Sequence, residues 1–430
     1  MAVPEAPGDA RMVAPTPAGV PGEECRINAL PDELLLHAIS YLDIRELVHT
    51  CVLSRRWRDL WRAATRINAS RRAFDGAAGT DEERNALFKR FVSRFLMLRD
   101  PVALDAFSLC YHVPEATWDS LADAADAGLW IGHALQCNAR TVEVSGWGTR
   151  LDLDPPVFAS ECILTSLELS QVTLFPSFFR SLRTGCRLLE RLILRGCFID
   201  DADISSPTLK VLKIDADSII TFDKQTSISI PSLIELHFFA FGRIPLLKDV
   251  GSLVTASIAV RTDNGNTQVD DFRQLLNSLS GLQICSSVIL ENFSLRKIVK
   301  KYCLKMEKKL ELCPKFDNLT VLTIGDGWLH EDFRAFIFFF QNSPNLVKLT
   351  LKIDKTGSAI GSQTFSRMMG GLKEVSLSSE HLEIVEFVCL EGVSVAYSLE
   401  KLLLEGGIPS GQMDVKHLDG TRSAVVIVRV

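Results

Sequence analysis

Apolar residues recur at helical spacing through the first hundred residues and mainly at strand spacing beyond about residue 139. Leu34, Leu35, Ala38, Ile39 and Leu42 form a stripe that predicts a first helix running to about Tyr41. Pro31 suits its first turn, and Asp32 and Glu33 favour its positive end. Asp43 can cap a second short helix through Ile44, Leu47, Val48 and Cys51, leading to Val52 and Leu53. Ser54 can cap a third, with Trp57, Leu60 and Trp61 on one face and Arg55, Arg56, Arg58 and Arg62 largely on the other. Three such helices on about 40 residues bury little core alone, so the module gains stability by giving apolar surface to a partner. From Arg66 to about Thr80 the pattern lapses, which predicts a linker. Leu87, Phe88, Phe91, Val92, Phe95 and Leu96 then predict a bridging helix over Asp81–Leu98.

Further on, a phrase of the form L-x-x-L-x-L keeps returning. Leu164, Leu167 and Leu169 open the clear series, and Leu189, Leu192, Leu194 and Cys197 match the fuller leucine-rich-repeat signature. Variants follow at Leu209, Leu212 and Ile214; Leu233, Leu236 and Phe238; Leu253, Ala256 and Ile258; Leu319, Leu322 and Ile324; Leu346, Leu349 and Leu351; Leu372, Val375 and Leu377; and Leu399, Leu402 and Leu404. Each L-x-L places two side chains inward from a short strand, and stacking the units makes a parallel sheet over one continuous core. No unit is stable alone. Phe333, Phe336, Ile337 and Phe340 predict a packing helix over Glu331–Asn342, ended by Ser343-Pro344. Residues 282–312 blur the repeat, and Arg296, Lys297, Lys300, Lys301, Lys305, Lys308 and Lys309 suggest a helix with a solvated basic face, with an acidic-partner site as the alternative.

Composition narrows the function. With 47% hydrophobic residues in 430, most of the chain can bury a core. A net charge of −6 gives none of the basic excess expected for nucleic-acid binding. The 11 cysteines include no Cys-x-x-Cys pair and no zinc spacing, and are read as reduced thiols of a cytoplasmic or nuclear protein. Residues 1–25, rich in Ala, Pro, Gly and Val but broken by Glu5, Asp9, Glu23 and Glu24, read as a flexible tail rather than a signal peptide. The longest apolar runs, such as Ala335–Phe340, are far too short to span a bilayer, so no membrane is expected.

Leu30-Pro31-Asp32-Glu33-Leu34-Leu35, Val52-Leu53-Ser54-Arg55-Arg56-Trp57-Arg58 and Leu60-Trp61 resemble the F-box, particularly its plant form. The resemblance implies a three-helix unit docked on a Skp-family adaptor, and through it on a cullin and a RING subunit of an SCF ubiquitin ligase. It also implies that Leu30, Pro31, Leu34, Ile39, Leu42, Val52, Leu53, Trp57 and Leu60 form or directly support that interface; Leu35 and Trp61 are candidates for the module's own core. Phe316-Asp317-Asn318-Leu319-Thr320-Val321-Leu322, Ser343-Pro344-Asn345-Leu346-Val347-Lys348-Leu349 and His381-Leu382-Glu383-Ile384-Val385-Glu386-Phe387 resemble phrases of plant F-box, leucine-rich-repeat and FBD-type proteins, loosely from residue 139 onward.

Catalytic signatures are a different matter. The sequence contains no G-x-S-x-G elbow, P-loop, G-x-G-x-x-G turn or H-E-x-x-H. Cys110 and His112 would share a strand face, yet no orienting group accompanies them, and Cys110 is assigned to the core. His37, His49, His237 and His330 show no ligand spacing, so neither a metal nor a cofactor is expected. The expected fold is α/β: an N-terminal three-helix F-box followed by an irregular leucine-rich-repeat solenoid with a parallel sheet. Its divisions are a tail over 1–25, the F-box over 26–64, linker and bridging helices over 65–138, the solenoid over 139–355, and FBD-like repeats over 356–430. The expected function is substrate recognition for an SCF-type ligase, without catalysis of its own. The alternatives are a non-degradative interaction scaffold and a small-molecule receptor. Substrate-binding residues are not assigned.

Overall fold

The computed structural model describes residues 26–111, 120–146, 151–153, 155–158, 161–201, 203–220, 225–241, 244–261, 269–280, 287–290, 314–325, 334–353, 381–390, 400–401, 403–404, 407–418 and 425–429. Its framework is a ladder of parallel strands: Arg66–Ser70, Ala106–Cys110, Thr141–Ser145, Ser166–Ser170, Arg191–Arg195, Val211–Ile220, Glu235–Phe241, Thr255–Arg261, Ser287–Leu290, Val321–Ile324, Lys348–Ile353, Ile384–Leu390 and Met413–Leu418. Each pairs in parallel with the next, and Val425–Arg429 closes the ladder antiparallel to Met413–Leu418.

The register explains why the sequence phrase works. In-register columns run Ile67, Phe107, Val142, Leu167, Leu192, Leu212, Leu236 and Ala256, and two residues on, Ala69, Leu109, Val144, Leu169, Leu194, Ile214, Phe238 and Ile258. These side chains are buried, as period-two alternation demands when one sheet face covers a core. The first apolar residue of each phrase sits in the turn leading into its strand and is buried too: Leu164, Leu189, Leu209, Leu233, Leu253, Leu319 and Leu346. The following backbone N–H bonds the carbonyl of the previous repeat, as in Glu190 to Thr165 (2.9 Å), Lys210 to Glu190 (2.8 Å) and Val254 to Ile234 (2.9 Å). Side chains add rungs there: Thr208 Oγ1 donates to the Leu189 carbonyl (2.9 Å), Ser232 Oγ to Leu209 (2.8 Å) and Asn345 Nδ2 to Asp317 (2.7 Å).

After the strands the chain turns outward. Gly196, at φ 58°, makes one such corner, where a left-handed backbone favours glycine. Cys197, at the last position of the repeat signature, is fully buried, and its thiol donates to the Leu169 carbonyl at 3.4 Å. Behind the ladder, short strands Leu151–Leu153, Val172–Leu174 and Phe198–Ile199 pair in parallel, as do Asp203–Ser205, Ser227–Ser229 and Leu246–Leu247.

The array starts earlier than the leucines suggest. Residues 66–80, expected as a linker, contain the strand Arg66–Ser70, and Ala64-x-x-Ile67-x-Ala69, Leu104-x-x-Phe107-x-Leu109 and Ala139-x-x-Val142-x-Val144 all follow the repeat phrase. Alanine, phenylalanine and valine replace leucine there, which hid the phrase. The helix expected over Asp81–Leu98 forms between the first two strands with those limits, closed at its start by a reciprocal Thr80 and Glu83 capping box. Phe88 on this helix meets Phe74, Tyr111 and Trp130, with ring centroids 5.6–5.7 Å apart. Cys110 is half-buried and alternates with the inward Leu109, so its assignment to the core is corrected; His112, weighed beside it and set aside, lies outside the described residues.

Farther along, the expected helix over 331–342 is Arg334–Gln341, with Glu331 and Phe333 outside the described residues. So are Leu372, Val375, Leu377, Leu399 and Leu402, together with the basic residues of 296–309. Strand Ser287–Leu290 continues the ladder within the blurred region. The strand expected at Leu402 and Leu404 is corrected: residues 400, 401, 403 and 404 are helical, Leu404 is exposed, and the next ladder strand is Met413–Leu418.

Candidate docking surface

The N-terminal module contains helix α1, Asp32–Ile39, and helix α2, Ile44–His49. Pro31 caps α1 through its carbonyl, which accepts from the N–H groups of Leu34 and Leu35 at 3.1 Å each. Asp43 caps α2, accepting from the Arg45 N–H at 2.9 Å, and its other oxygen accepts from the Ser70 N–H at 3.0 Å. Burial raises the Asp43 carboxyl pKa above its ordinary value, opposed by those backbone donors. The third helix differs from expectation: residues 55–59 form turns, and only Leu60–Ala63 is helical, as 3₁₀. Ser54 therefore caps no α-helix; its carbonyl instead accepts from the Trp57 N–H at 3.1 Å.

The expected site residues divide into two sets. Ile39, Trp57 and Leu60 are buried with Leu35, Ile44 and Leu47, and Leu42 is half-buried against them. They form the module's interior and hold its surface in shape. Leu30, Pro31, Leu34, Val52 and Leu53 face outward, with Val52 82% and Leu34 53% exposed. Adjacent helix positions differ by about 100°, so Leu34 and Leu35 belong to different faces. Leu35 and Ile39 point inward, while Leu34, Ala38 and Tyr41 line the outside. The sequence pattern placed Leu34, Leu35, Ala38 and Ile39 in one stripe, which the structure divides between an inner and an outer face.

Arg56 joins the two ends of the outward surface. Its Nε donates to Asp32 Oδ1 at 2.8 Å, and its Nη2 reaches that oxygen and the Leu30 carbonyl, both at 2.5 Å. A side chain expected on a solvated basic face is thus a latch across 24 residues of sequence. Ile27, 45% exposed, extends the apolar surface and was absent from the sequence-derived set. Tyr41 is held at its edge by an edge-on ring contact with His37 at 5.5 Å and by Arg66, 5.6 Å from its ring centre.

Below this surface the module is fastened to the array. Arg45 Nη1 donates to the Ala73 carbonyl at 2.7 Å, Trp61 packs on Phe95 with ring centres 5.3 Å apart, and Arg62 pairs with Asp100 at 3.3 Å. Arg71, buried to 1% exposure, pairs with Asp75 at 2.6 Å and Asp81 at 3.6 Å. Arg99 donates to the carbonyls of Ala64 (3.3 Å) and Val102 (2.8 Å). Among the described residues, no group of three or more His, Cys, Asp or Glu side chains could hold a metal ion, and no helix is long and apolar enough to cross a membrane.

Comparison with known proteins finds matches to the N-terminal module and to most of the chain. The F-box domain model matches residues 27–65. An F-box/LRR-repeat protein of Arabidopsis thaliana is 26% identical over 373 residues, spanning 77% of this chain and 94% of the relative. A putative FBD-associated F-box protein of the same plant is 24% identical over 415 residues, 89% of this chain and 94% of its own length. A putative F-box/LRR-repeat protein, again from Arabidopsis thaliana, is 28% identical over 385 residues, 84% and 83% of the two chains. The chain therefore carries an F-box domain at residues 27–65 and is similar over most of its length to plant F-box/LRR-repeat and FBD-associated F-box proteins.

Proposed function

We propose that this chain is the substrate-recognition subunit of an SCF-type ubiquitin ligase, located in the cytoplasm, the nucleus or both. The F-box, residues 26–64, docks on a Skp-family adaptor and through it joins a cullin and a RING subunit. Leu30, Pro31, Leu34, Val52 and Leu53 make the contact; Ile39, Leu42, Trp57 and Leu60 support it from within. The observation that carries this reading is the apolar surface left outside a module that already has its own interior. Exposed Val52 and Leu53 lie close in sequence to buried Trp57, and Arg56, next to Trp57, bonds the Leu30 carbonyl and Asp32 at the start of α1.

The repeats, including an FBD-like C-terminal part, hold the target protein. Ligation chemistry resides in the partner subunits, and this chain supplies proximity: a tethered lysine sees the ubiquitin carrier at a raised effective concentration. Purification of the tagged full-length chain from proteasome-inhibited cells tests the reading. Recovery of a Skp-family adaptor and a cullin, with a further protein that accumulates and carries ubiquitin, is the expected result. Recovery of the folded chain without adaptor or cullin contradicts it.

A further inference from the structure

Cys162 and Cys186 belong to successive repeats, and their Sγ atoms are 3.4 Å apart. Two further contacts align the segments that carry them, and a third fixes Cys186 within its own. The Cys162 N–H donates to the Gly185 carbonyl at 3.1 Å. Glu161 pairs with Arg187 at 3.2 Å, so the chain neighbours of the two cysteines also meet. The Cys186 N–H bonds the Leu182 carbonyl at 2.8 Å and fixes this cysteine at the C-terminal end of helix Phe178–Gly185. Thiols this close on segments already joined by a backbone hydrogen bond need little movement to close to a disulfide, which requires neighbouring backbones.

The two thiols are not equivalent. Cys162 is half-buried, whereas Cys186 is 2% exposed. Hydrogen bonding from the Cys186 thiol, aided by the Leu164 N–H and opposed by burial, brings the Cys162 thiol down to about 7. That hydrogen bond and burial push Cys186 up. The half-buried Cys162 thiol is thus the more readily ionised of the two, and ionisation is what makes a thiol nucleophilic.

We infer that Cys162 and Cys186 are a peroxide-sensitive thiol pair that closes to a disulfide between successive repeats. The Cys162 thiolate attacks one oxygen of a hydroperoxide, the O–O bond breaks, and the leaving oxygen takes a proton to give water or an alcohol. The Cys162 sulfenic acid is then attacked by the Cys186 sulfur, which loses its proton; an S–S bond forms and water departs. Two thiols are oxidised and one peroxide is reduced. The link spans the stretch containing helix Phe178–Gly185 and ties it to the repeat before it.

The test treats the purified full-length chain with hydrogen peroxide, blocks remaining thiols and maps peptides without reduction. The expected product joins the Cys162 and Cys186 peptides with the loss of two hydrogens, forms faster than Cys51 or Cys110 is oxidised, and disappears with dithiothreitol. In Cys186→Ser, dimedone should trap a sulfenic acid on Cys162; Cys162→Ser should yield no link. The inference is overturned if, in the folded wild-type chain, both thiols remain free to alkylation after peroxide or Cys162 oxidises no faster than Cys51. Mapping the wild-type chain keeps the test decisive even where a variant fails to fold.

Discussion

Single residues decide more here than their type suggests. Leu34 and Leu35 are neighbours in sequence and equally apolar, yet one is surface and the other interior because a helix turns about 100° between them. Alternation made the paired strand residues legible as core, from Leu167 and Leu169 to Leu349 and Leu351. Arg56, Arg71 and Arg99 were not legible, because their partners depend on how distant segments pack. His133 carries a testable consequence: burial, and then the Arg99 charge, hold its pKa below the ordinary 6.5. The unfolded chain therefore binds the proton more readily, and stability present above pH 6.5 is lost as the pH falls through the folded value. Urea midpoints should drop between pH 7.5 and 5.5, and His133→Gln should flatten that slope; an unchanged slope would assign the loss to other groups.

Among the elements, the helix Asp81–Leu98 was readable to its limits from its apolar stripe, and the structure adds the Thr80–Glu83 capping box that starts it. Thr80→Ala removes a side-chain acceptor at an exposed helix start and should cost about 1 kcal/mol in chemical denaturation. Phe88→Ala, at a residue packed against three aromatic rings, should cost about 3–5 kcal/mol. Comparable costs for the two would mean that α-helix propensity, rather than this packing, holds the element. The third F-box element was misread because Trp57, Leu60 and Trp61 fit a helical face, whereas the structure seats Trp57 from a turn and Leu60 from a 3₁₀ helix. Arg66 to about Thr80 supplied no long apolar run, yet it contains strand Arg66–Ser70, specified by only Ile67 and Ala69 and by its neighbour Ala106–Cys110. A two-residue signal is too short to read without the partner strand.

For the whole molecule, the main consequence is that the F-box ends inside the first repeat. Ala64 closes one and begins the other, and Arg45, Trp61, Arg62 and Arg99 fasten them together. Residues 26–64 expressed alone should lack a cooperative unfolding transition, while the full chain should keep one that includes the tryptophan signal of the module; an independently folded fragment would refute this junction. Under the proposed function, a rigid junction would carry adaptor and target at a fixed separation, as a chain that works by positioning requires.

Adaptor affinity measures the central claim most directly. The full-length Leu34→Glu, Val52→Glu double variant changes two outward side chains and leaves the interior intact. The account predicts at least roughly a thirtyfold loss of affinity for a Skp-family adaptor, corresponding to about 2 kcal/mol, with an unchanged thermal midpoint. Unaltered affinity in a folded variant would contradict the assignment of this surface as the docking site.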